Sequence, residues 1–431
     1  MKLFCPLLLA LSFSCSATLP ASPQAWKNIT AGENTTLSFD GSLRERYEWT
    51  DHRDLGLNGK GREDILMQRL LLGARLNTSN YFSAYLQLGS SLSTHRSQGR
   101  KPTDEDRAYI GQGYMDLQLP TDYGKSLLRV GRQEIPLGSL HLLGTRDGAN
   151  VRRSFDAIHS AWLWNQSRVD AFIAHPVEIR TAKFNDKTDN TQKIWGLYST
   201  LSSQMVSSSL DFYYLGFESN ESHYTQDTGE ERRYTLGVRQ FGCSNNFDWD
   251  NELTWQFGHF QQYDIRAWAA SMHSGYTVDT WSMKPRFGIK LGTASGDRNS
   301  HDRQLNTFNA MYPKLPYLTE NGAVAPANLI DVHPSITLLP RQTISVELSW
   351  DAMWRQHSAD GFYLGPMRPV PGSENGNRFL GNQYQIETIW TPETWLQLKA
   401  AYVYFDVSNS LEKHADLQNM NFLLTQVTFN F

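Results

Sequence analysis

The sequence predicts an all-β protein: a transmembrane up-and-down antiparallel β-barrel of about 18 strands, with short periplasmic turns and long extracellular loops. Three observations predict it. Runs of about ten residues alternate between apolar and polar side chains along most of the chain. The segments joining these runs alternate between short and long. Past the first residues, no apolar run approaches the roughly 20 residues that a spanning helix needs.

The chain opens on Met1-Lys2, an apolar run from Leu3 to Phe13, and small residues at Ser14, Ser16 and Ala17. A signal peptide over residues 1–21 is expected, cleaved near Ala17 or Ala21. Ser12-Phe13-Ser14 is a poor lipoprotein context for Cys15. Of the 3 cysteines only Cys243 would remain, so no internal disulfide can form. The formal charge of −4, with no basic tail, does not suggest a nucleic-acid binder. The mean hydropathy of −0.50 resembles that of a water-soluble chain. A barrel escapes that test, because only alternate residues face lipid. With 13 Trp and 19 Tyr, the composition suits the aromatic girdles at the two interfaces of such a barrel.

Taken in order, Leu66, Leu70, Leu72, Ala74 and Leu76 share one parity, and Arg69, Gly73 and Arg75 the other. Phe82, Ala84, Leu86 and Leu88 alternate with Ser83, Tyr85, Gln87 and Gly89, and Met115, Leu117 and Leu119 with Tyr114, Asp116 and Gln118. Leu128 and Val130 oppose Arg129 and Gln133. Phe247, Trp249, Leu253, Trp255 and Phe257 oppose Asp248, Asp250, Glu252, Thr254 and Gln256. Trp281, Met283, Phe287, Ile289 and Leu291 stand against Lys284, Arg286, Gly288, Lys290 and Gly292. Ile344, Val346, Leu348, Trp350, Ala352 and Trp354 stand against Ser345, Glu347, Ser349, Asp351 and Arg355. The pattern is weak from Phe155 to Trp164 and from Arg266 to Val278. The last stretch, Met420 to Phe431, alternates and stops on an aromatic residue, a pattern associated with bacterial outer-membrane barrels.

Tight-turn chemistry marks Asn77 to Asn80, Asn165 to Ser167, Ser202 to Gln204, Cys243 to Asn246, Val278 to Thr280 and Thr391 to Glu393. The long segments are Thr50 to Asp64, Ser93 to Arg107, Glu134 to Arg153, Pro176 to Thr191, Glu218 to Glu231, Ala294 to Ile330, Gln356 to Arg378 and Ser408 to Asn419. Only Gly258 to Tyr263 is short where a long loop is due. An even strand count puts both ends on the periplasmic side. One domain over residues 37–431 follows. A soluble sandwich would also alternate, but strand length and loop asymmetry favour the membrane, where only a closed sheet satisfies every backbone group.

The residues opposite the lipid-facing parity would line a channel. They include Arg44, Arg46, Arg69, Arg75, Arg129, Arg233, Arg239, Lys284, Arg286, Lys290, Arg355 and Lys399. A comparable number of acids shares that parity, among them Asp116, Asp248, Glu252, Asp351 and Glu387, so uniform anion selectivity does not follow from the count. Selectivity could come from segregation, since the bases gather on the first five strands and on the Lys284 to Lys290 strand and the acids near Asp248 to Glu252; the alternative is that lumen charges pair across strands and only solvate the wall. A loop holding Arg146, Asp147, Arg152 and Arg153 adjoins them, and the planar arginine fork suits carboxylates.

Leu128-Arg129-Val130-Gly131-Arg132-Gln133-Glu134 and the stretch from Arg146 to Asp156, RDGANVRRSFD, resemble the alginate-export outer-membrane porin family. The early Leu43-Arg44-Glu45-Arg46-Tyr47-Glu48 is similar to that family's first strand. The resemblance runs from about Leu37 to Phe431 and rests on the order and spacing of these motifs. It implies a monomeric eighteen-stranded barrel whose constricted, arginine-rich pore passes a negatively charged polyuronate. On the matching positions it implies pore roles for Arg129, Arg152, Arg153 and Asp156, with Arg44 and Arg46 behind them. Extended backbone would not let Arg152 and Arg153 both enter the pore.

The expected function is therefore an outer-membrane export channel or porin for an alginate-like polyuronate or related anionic sugars and acids. The alternatives are a general or small-organic-acid porin, and a structural or adhesive barrel. Pore-lining candidates are Arg44, Arg46, Arg69, Arg75, Arg129, Arg146, Arg152, Arg153, Asp156, Arg286 and Lys290. Expected partners are the anionic saccharide, outer-membrane lipid and, for an exporter, periplasmic export components, but no nucleic acid. No enzyme is expected, since no histidine sits in a recognisable Ser-His arrangement. No cofactor or metal motif is expected either; Asp297 and Asp302 could bind calcium in a loop, but they read first as solvated loop acids.

Overall fold

The computed structural model describes residues 29–431 except 33, 58, 60, 95–100, 122–123 and 203–206. The expected signal peptide over residues 1–21 lies outside the described residues. Eighteen long strands form one closed antiparallel sheet. They are β1 (Thr35–Asp51), β2 (Arg62–Asn77), β3 (Phe82–Thr94), β4 (Asp106–Thr121), β5 (Gly124–Gln133) and β6 (Phe155–Trp164). Next come β7 (Ser167–Glu178), β8 (Gln192–Ser202), β9 (Ser208–His223), β10 (Thr228–Ser244), β11 (Phe247–Phe260) and β12 (Tyr263–Thr277). The wall ends with β13 (Arg286–Ala294), β14 (Leu329–Arg341), β15 (Ile344–Arg355), β16 (Phe379–Glu393), β17 (Leu396–Val407) and β18 (Met420–Asn430). Each strand pairs with the next, and β18 returns to β1, with Ser42 opposite Asn430 and Thr50 opposite Phe422. Closure leaves no strand edge unpaired in hydrocarbon.

The alternation is physical. On β4, Met115 is 61 % exposed on the outside and its neighbour Asp116 2 % exposed within. Leu72, Leu86, Leu253, Trp255 and Leu348 face outward in the same way. Two strands with weak alternation have a common cause. Phe155 and Ala157 of β6 and Ile265 and Ala267 of β12 turn apolar side chains inward, against loops packed inside the barrel. Both of their faces are therefore apolar, and no two-residue period shows. The segment from Glu218 to Glu231 is not a long loop: β9 and β10 run on to His223 and from Thr228, joined by a tight turn. Lys284 lies in the exposed turn before β13, not in the wall.

Two long loops fold inward and join. The strap, residues 134–154, runs beside the loop of residues 295–328. Gly144 N donates to Tyr312 O at 2.8 Å, Tyr312 N to Leu142 O at 3.0 Å, Lys314 N to Leu140 O at 2.8 Å and Gly148 N to Leu315 O at 2.9 Å. Two glycines permit this approach: a Cβ on Gly148 would lie 2.6 Å from Leu315 O, and one on Gly144 2.9 Å from Lys314 N. Leu142, Leu143, Phe308 and Tyr312 pack with Phe155, Ile194, Tyr213 and Leu215 of the wall. That apolar core fills the lumen beside β6 to β12. A second core, with Leu55, Met353, Phe362, Phe405 and Leu411, gathers the outer loops over β14 to β18. It includes the short helix α1 (Asn409–Ala415), capped by Ser408. Asp297 is not solvated: it is buried, and its N–H donates to Asp360 Oδ2 at 2.9 Å, joining two loops. Burial and then Asp360 push its carboxyl up to about 6.

Candidate pore site

Arg44 of β1 and Arg69 of β2 are direct cross-strand neighbours on the inner face. Two like charges so placed repel, and the strap supplies the acceptors that hold them. Arg44 donates to the carbonyls of Asp147 at 2.6 Å and Ala149 at 2.8 Å. Arg69 donates to Asp147 Oδ1 at 2.8 Å. Both guanidiniums are thereby buried behind the strap and back it, instead of standing in open water. Asn150 locks the strap to the wall. Its buried amide donates to the carbonyls of Gln68 at 3.2 Å, Leu92 at 3.0 Å and Asp104 at 2.9 Å.

Asp147 and Arg152 are the lumen face of this cluster. Asp147 is 58 % exposed. Arg152 donates to Glu134 Oε2 at 2.8 Å and lies 3.6 Å from Asp147. The surrounding protein would raise the Asp147 carboxyl, but Arg69, Arg152 and Arg44 outweigh this and hold it well below the usual range. Burial raises Glu134 despite Arg152. Arg146 is half-buried, with one long contact of 3.5 Å to Val151 O, and loss of water lowers it to about 10.

Two of the candidates stand elsewhere. Arg153 is sealed between the inward loops, donating to Gly144 O at 3.2 Å and Pro313 O at 3.1 Å, with its guanidinium 5.1 Å from the Tyr312 ring centre. Burial and then Arg146 lower it to about 9. Asp156 shares the parity of Ile158 and Trp162, which are exposed on the outside, so it faces away from the lumen. There it takes a two-pronged bond from Arg132, at 2.9 and 3.1 Å, and another from Thr188 at 2.7 Å.

Below the strap, Arg129 grips Asp116 with both prongs at 2.7 and 2.9 Å and lies 3.8 Å from the Tyr114 ring centre. Arg75 reaches the same carboxylate at only 3.7 Å and lies 4.8 Å from the Tyr85 ring centre. Two guanidiniums thus share one acid, and Arg75, 34 % exposed, is the more open of them. Arg46 is buried and paired with Glu48. Arg286 bonds to Asp248 at 2.9 and 2.5 Å and lies folded on the wall over Gly275. Arg233 and Arg355 are fully buried and hold loop carbonyls and Glu231. Lys290, on β13, makes no hydrogen bond or ion pair among the described residues. Lys314, on the second inward loop, is its neighbour. Burial, then Lys290, lowers Lys314 to about 8. Sequence parity could not find Lys314, because a loop has no period. The Met311-Tyr312-Pro313-Lys314-Leu315-Pro316 run, apolar inside a polar loop, is the signal that this segment is covered.

A closed barrel with a lipid-facing outer surface, inward loops and a charged lumen defines the class: an outer-membrane barrel of the porin type. The chain belongs to the alginate-export family, whose profile matches residues 35–424. No curated protein matches it. Among solved structures it is similar to Pseudomonas aeruginosa OccD3 (OpdP), with a TM-score of 0.61 and 11 % identity over 96 % of this chain and 94 % of that one. It is also similar to Pseudomonas aeruginosa OccK11 (OpdR), with a TM-score of 0.60 and 13 % identity over 92 % and 96 %. A third is Pseudomonas aeruginosa OccK2 (OpdF), solved in complex with glucuronate, with a TM-score of 0.58 and 11 % identity over 92 % and 98 %. At these identities the likeness is one of fold.

Proposed function

We propose that the pore passes anionic saccharides of the uronate type by passive diffusion, steered along the guanidinium-bearing wall of β1 to β5 and the strap. One observation carries this reading. Arg44, Arg69, Arg146 and Arg152 crowd the strap, with Asp147 and Glu134 the carboxylates bonded to them and Glu48 nearby. The excess positive charge sits where the loops narrow the lumen, and low-dielectric walls strengthen its field. Arg75 and Arg129 continue it below with one shared acid. Membership of the alginate-export family supports a polyuronate, and a monosaccharide acid would use the same contacts. The wall moves no electrons and forms no bond. It lowers the energy of a carboxylate in transit and holds it too weakly to trap it.

Reversal potentials in planar bilayers under a salt gradient test the reading. The wild type should prefer anions, and oligouronates should interrupt the current. Arg152→Glu and Arg75→Glu should each weaken both effects. A channel indifferent to ion sign, or one unaltered by both substitutions, would refute it.

A further inference from the structure

The outer wall of β8 to β12 is uneven. Leu197, Tyr214, Leu236, Trp255 and Trp268 lie side by side across these five strands on the lipid-facing side. In the next row toward the periplasm, Ser199 and Val238 are short where Phe212 and Leu253 are long. The unevenness opens an apolar groove of about 770 Å³ in the lipid-facing surface. One row nearer the extracellular rim, the Trp195, Tyr234 and Phe257 rings meet with centres 6.3 and 5.5 Å apart. Aromatic rings gather where a membrane meets water, so the upper end of the groove is at the headgroups of the outer leaflet. Two cations bracket this aromatic row. At one end Lys193 Nζ lies 5.3 Å from the Trp195 ring centre, and at the other the exposed Arg266 stands opposite Phe257. Neither makes an ion pair among the described residues. The acids beside them are committed elsewhere: Glu218 is bonded by Arg232 at 2.8 Å and Asp264 by His259 at 3.0 Å.

We propose that this surface binds a bisphosphorylated, acylated glycolipid of the outer leaflet, with one tail in the groove and its phosphates on Lys193 and Arg266. Lipid tails are as apolar as leucine, so a tail gains no hydrophobic energy by leaving bulk lipid for the groove. Specificity must come from the fixed shape of the groove and from the cations at headgroup level. Ammonium and guanidinium groups both donate to phosphate oxygens. The two cations stand four strand spacings apart, roughly 19 Å before their long side chains converge. That is too wide for one phosphate and suits a headgroup that carries two. The site is continuous with the lipid-facing wall, lies apart from the lumen and takes no part in conduction. The competing occupant is a second copy of this chain.

The full chain, purified in detergent, is titrated with lipid A, with its monophosphoryl form and with phosphatidylglycerol, while thermal unfolding is followed. The wild type should gain a few degrees, saturably, with lipid A. It should gain less with the monophosphoryl form and nothing saturable with phosphatidylglycerol. Val238→Trp fills the groove, and Lys193→Glu combined with Arg266→Glu reverses the cations. Each should weaken the lipid A response about tenfold or more. Leu348→Trp, on the lipid face of β15, should leave it unchanged. Native mass spectrometry of the wild type, which needs no variant to fold, should show lipid A retained on the chain. A wild type that binds no lipid A, or responds equally to all three lipids, overturns the proposal. So does a response that survives both groove and cation variants, which places the lipid elsewhere. A wild-type dimer that Val238→Trp dissociates would assign the groove to a second copy and overturn it too.

Discussion

Replacing Asp147 with Asn should make the channel more anion-selective without dislodging the strap. Arg44 holds the strap through the backbone carbonyls of Asp147 and Ala149, and Asn150 holds it through the wall carbonyls of Gln68 and Leu92 and the loop carbonyl of Asp104. The Asp147 carboxylate adds its bond from Arg69, which the amide oxygen of an Asn can still accept. What changes is charge. A passing carboxylate about 5 Å from Asp147 is repelled by about 1 kcal/mol in water and about 3 kcal/mol at an effective dielectric of 20. Asp147 is more than half open to the lumen, so the watery end of that range applies. About 1 kcal/mol is roughly a fivefold change in relative anion permeability. The assay is the reversal potential across a salt gradient, with Asp147→Asn and wild type side by side. It belongs at or below 0.1 M salt, where the Debye length is about 10 Å. An unmoved reversal potential, or one displaced toward cations, would refute the account of the strap as a net positive collar.

Three more predictions concern separate parts of the molecule. Asn150→Ala should remove the amide that ties the strap to the carbonyls of Gln68, Leu92 and Asp104, at about 1–3 kcal/mol. Open-channel noise should rise and the thermal midpoint fall; a quiet channel of unchanged stability would speak against the locking role. Anion preference should decline from pH 7 to 9, because Lys314, lowered to about 8, sheds its proton there while an ordinary lysine stays charged to about 10. In that window the unfolded chain binds more protons, so stability should rise as the preference declines. Lys314→Met should flatten the selectivity profile, and an equally steep one would exclude Lys314. Leu72→Arg, on the lipid face of β2, should cost about 2–4 kcal/mol if Leu72 sits near the bilayer midplane. Urea unfolding in vesicles measures it, and a neutral result would contradict the outward assignment.

The wall was legible because its two sides meet different solvents. Leu66, Leu70 and Leu72 against Arg69 and Arg75 is a statement about hydrocarbon and water, and no distant residue is needed to read it. Loop lengths were legible for a similar reason, since turns carry their own chemistry. What stayed hidden depends on long-range contacts. The inner face of β6 was read as ambiguous because it packs on a loop more than a hundred residues away, through Phe155 and Tyr312. Arg44 and Arg69 share the inner parity and are direct neighbours on β1 and β2. That a loop covers them rests on contacts across 103 and 78 residues, beyond any local pattern. Asp156 shows the complementary error. Its place in a motif suggested the pore, while its parity with Ile158 pointed the other way.

The two zipped inward loops separate the size of the hole from the size of the cylinder. Eighteen strands set a girth that the bilayer must seal around, and a bare tube of that girth would leak small solutes freely. Here the joined loops fill the lumen beside β6 to β12, so they and not the cylinder bound whatever passes. A substitution among Leu142, Leu143, Tyr312 or Gly148 can therefore widen or reshape the opening with the outer surface untouched. Sieving and membrane fit become properties that can vary independently within one chain.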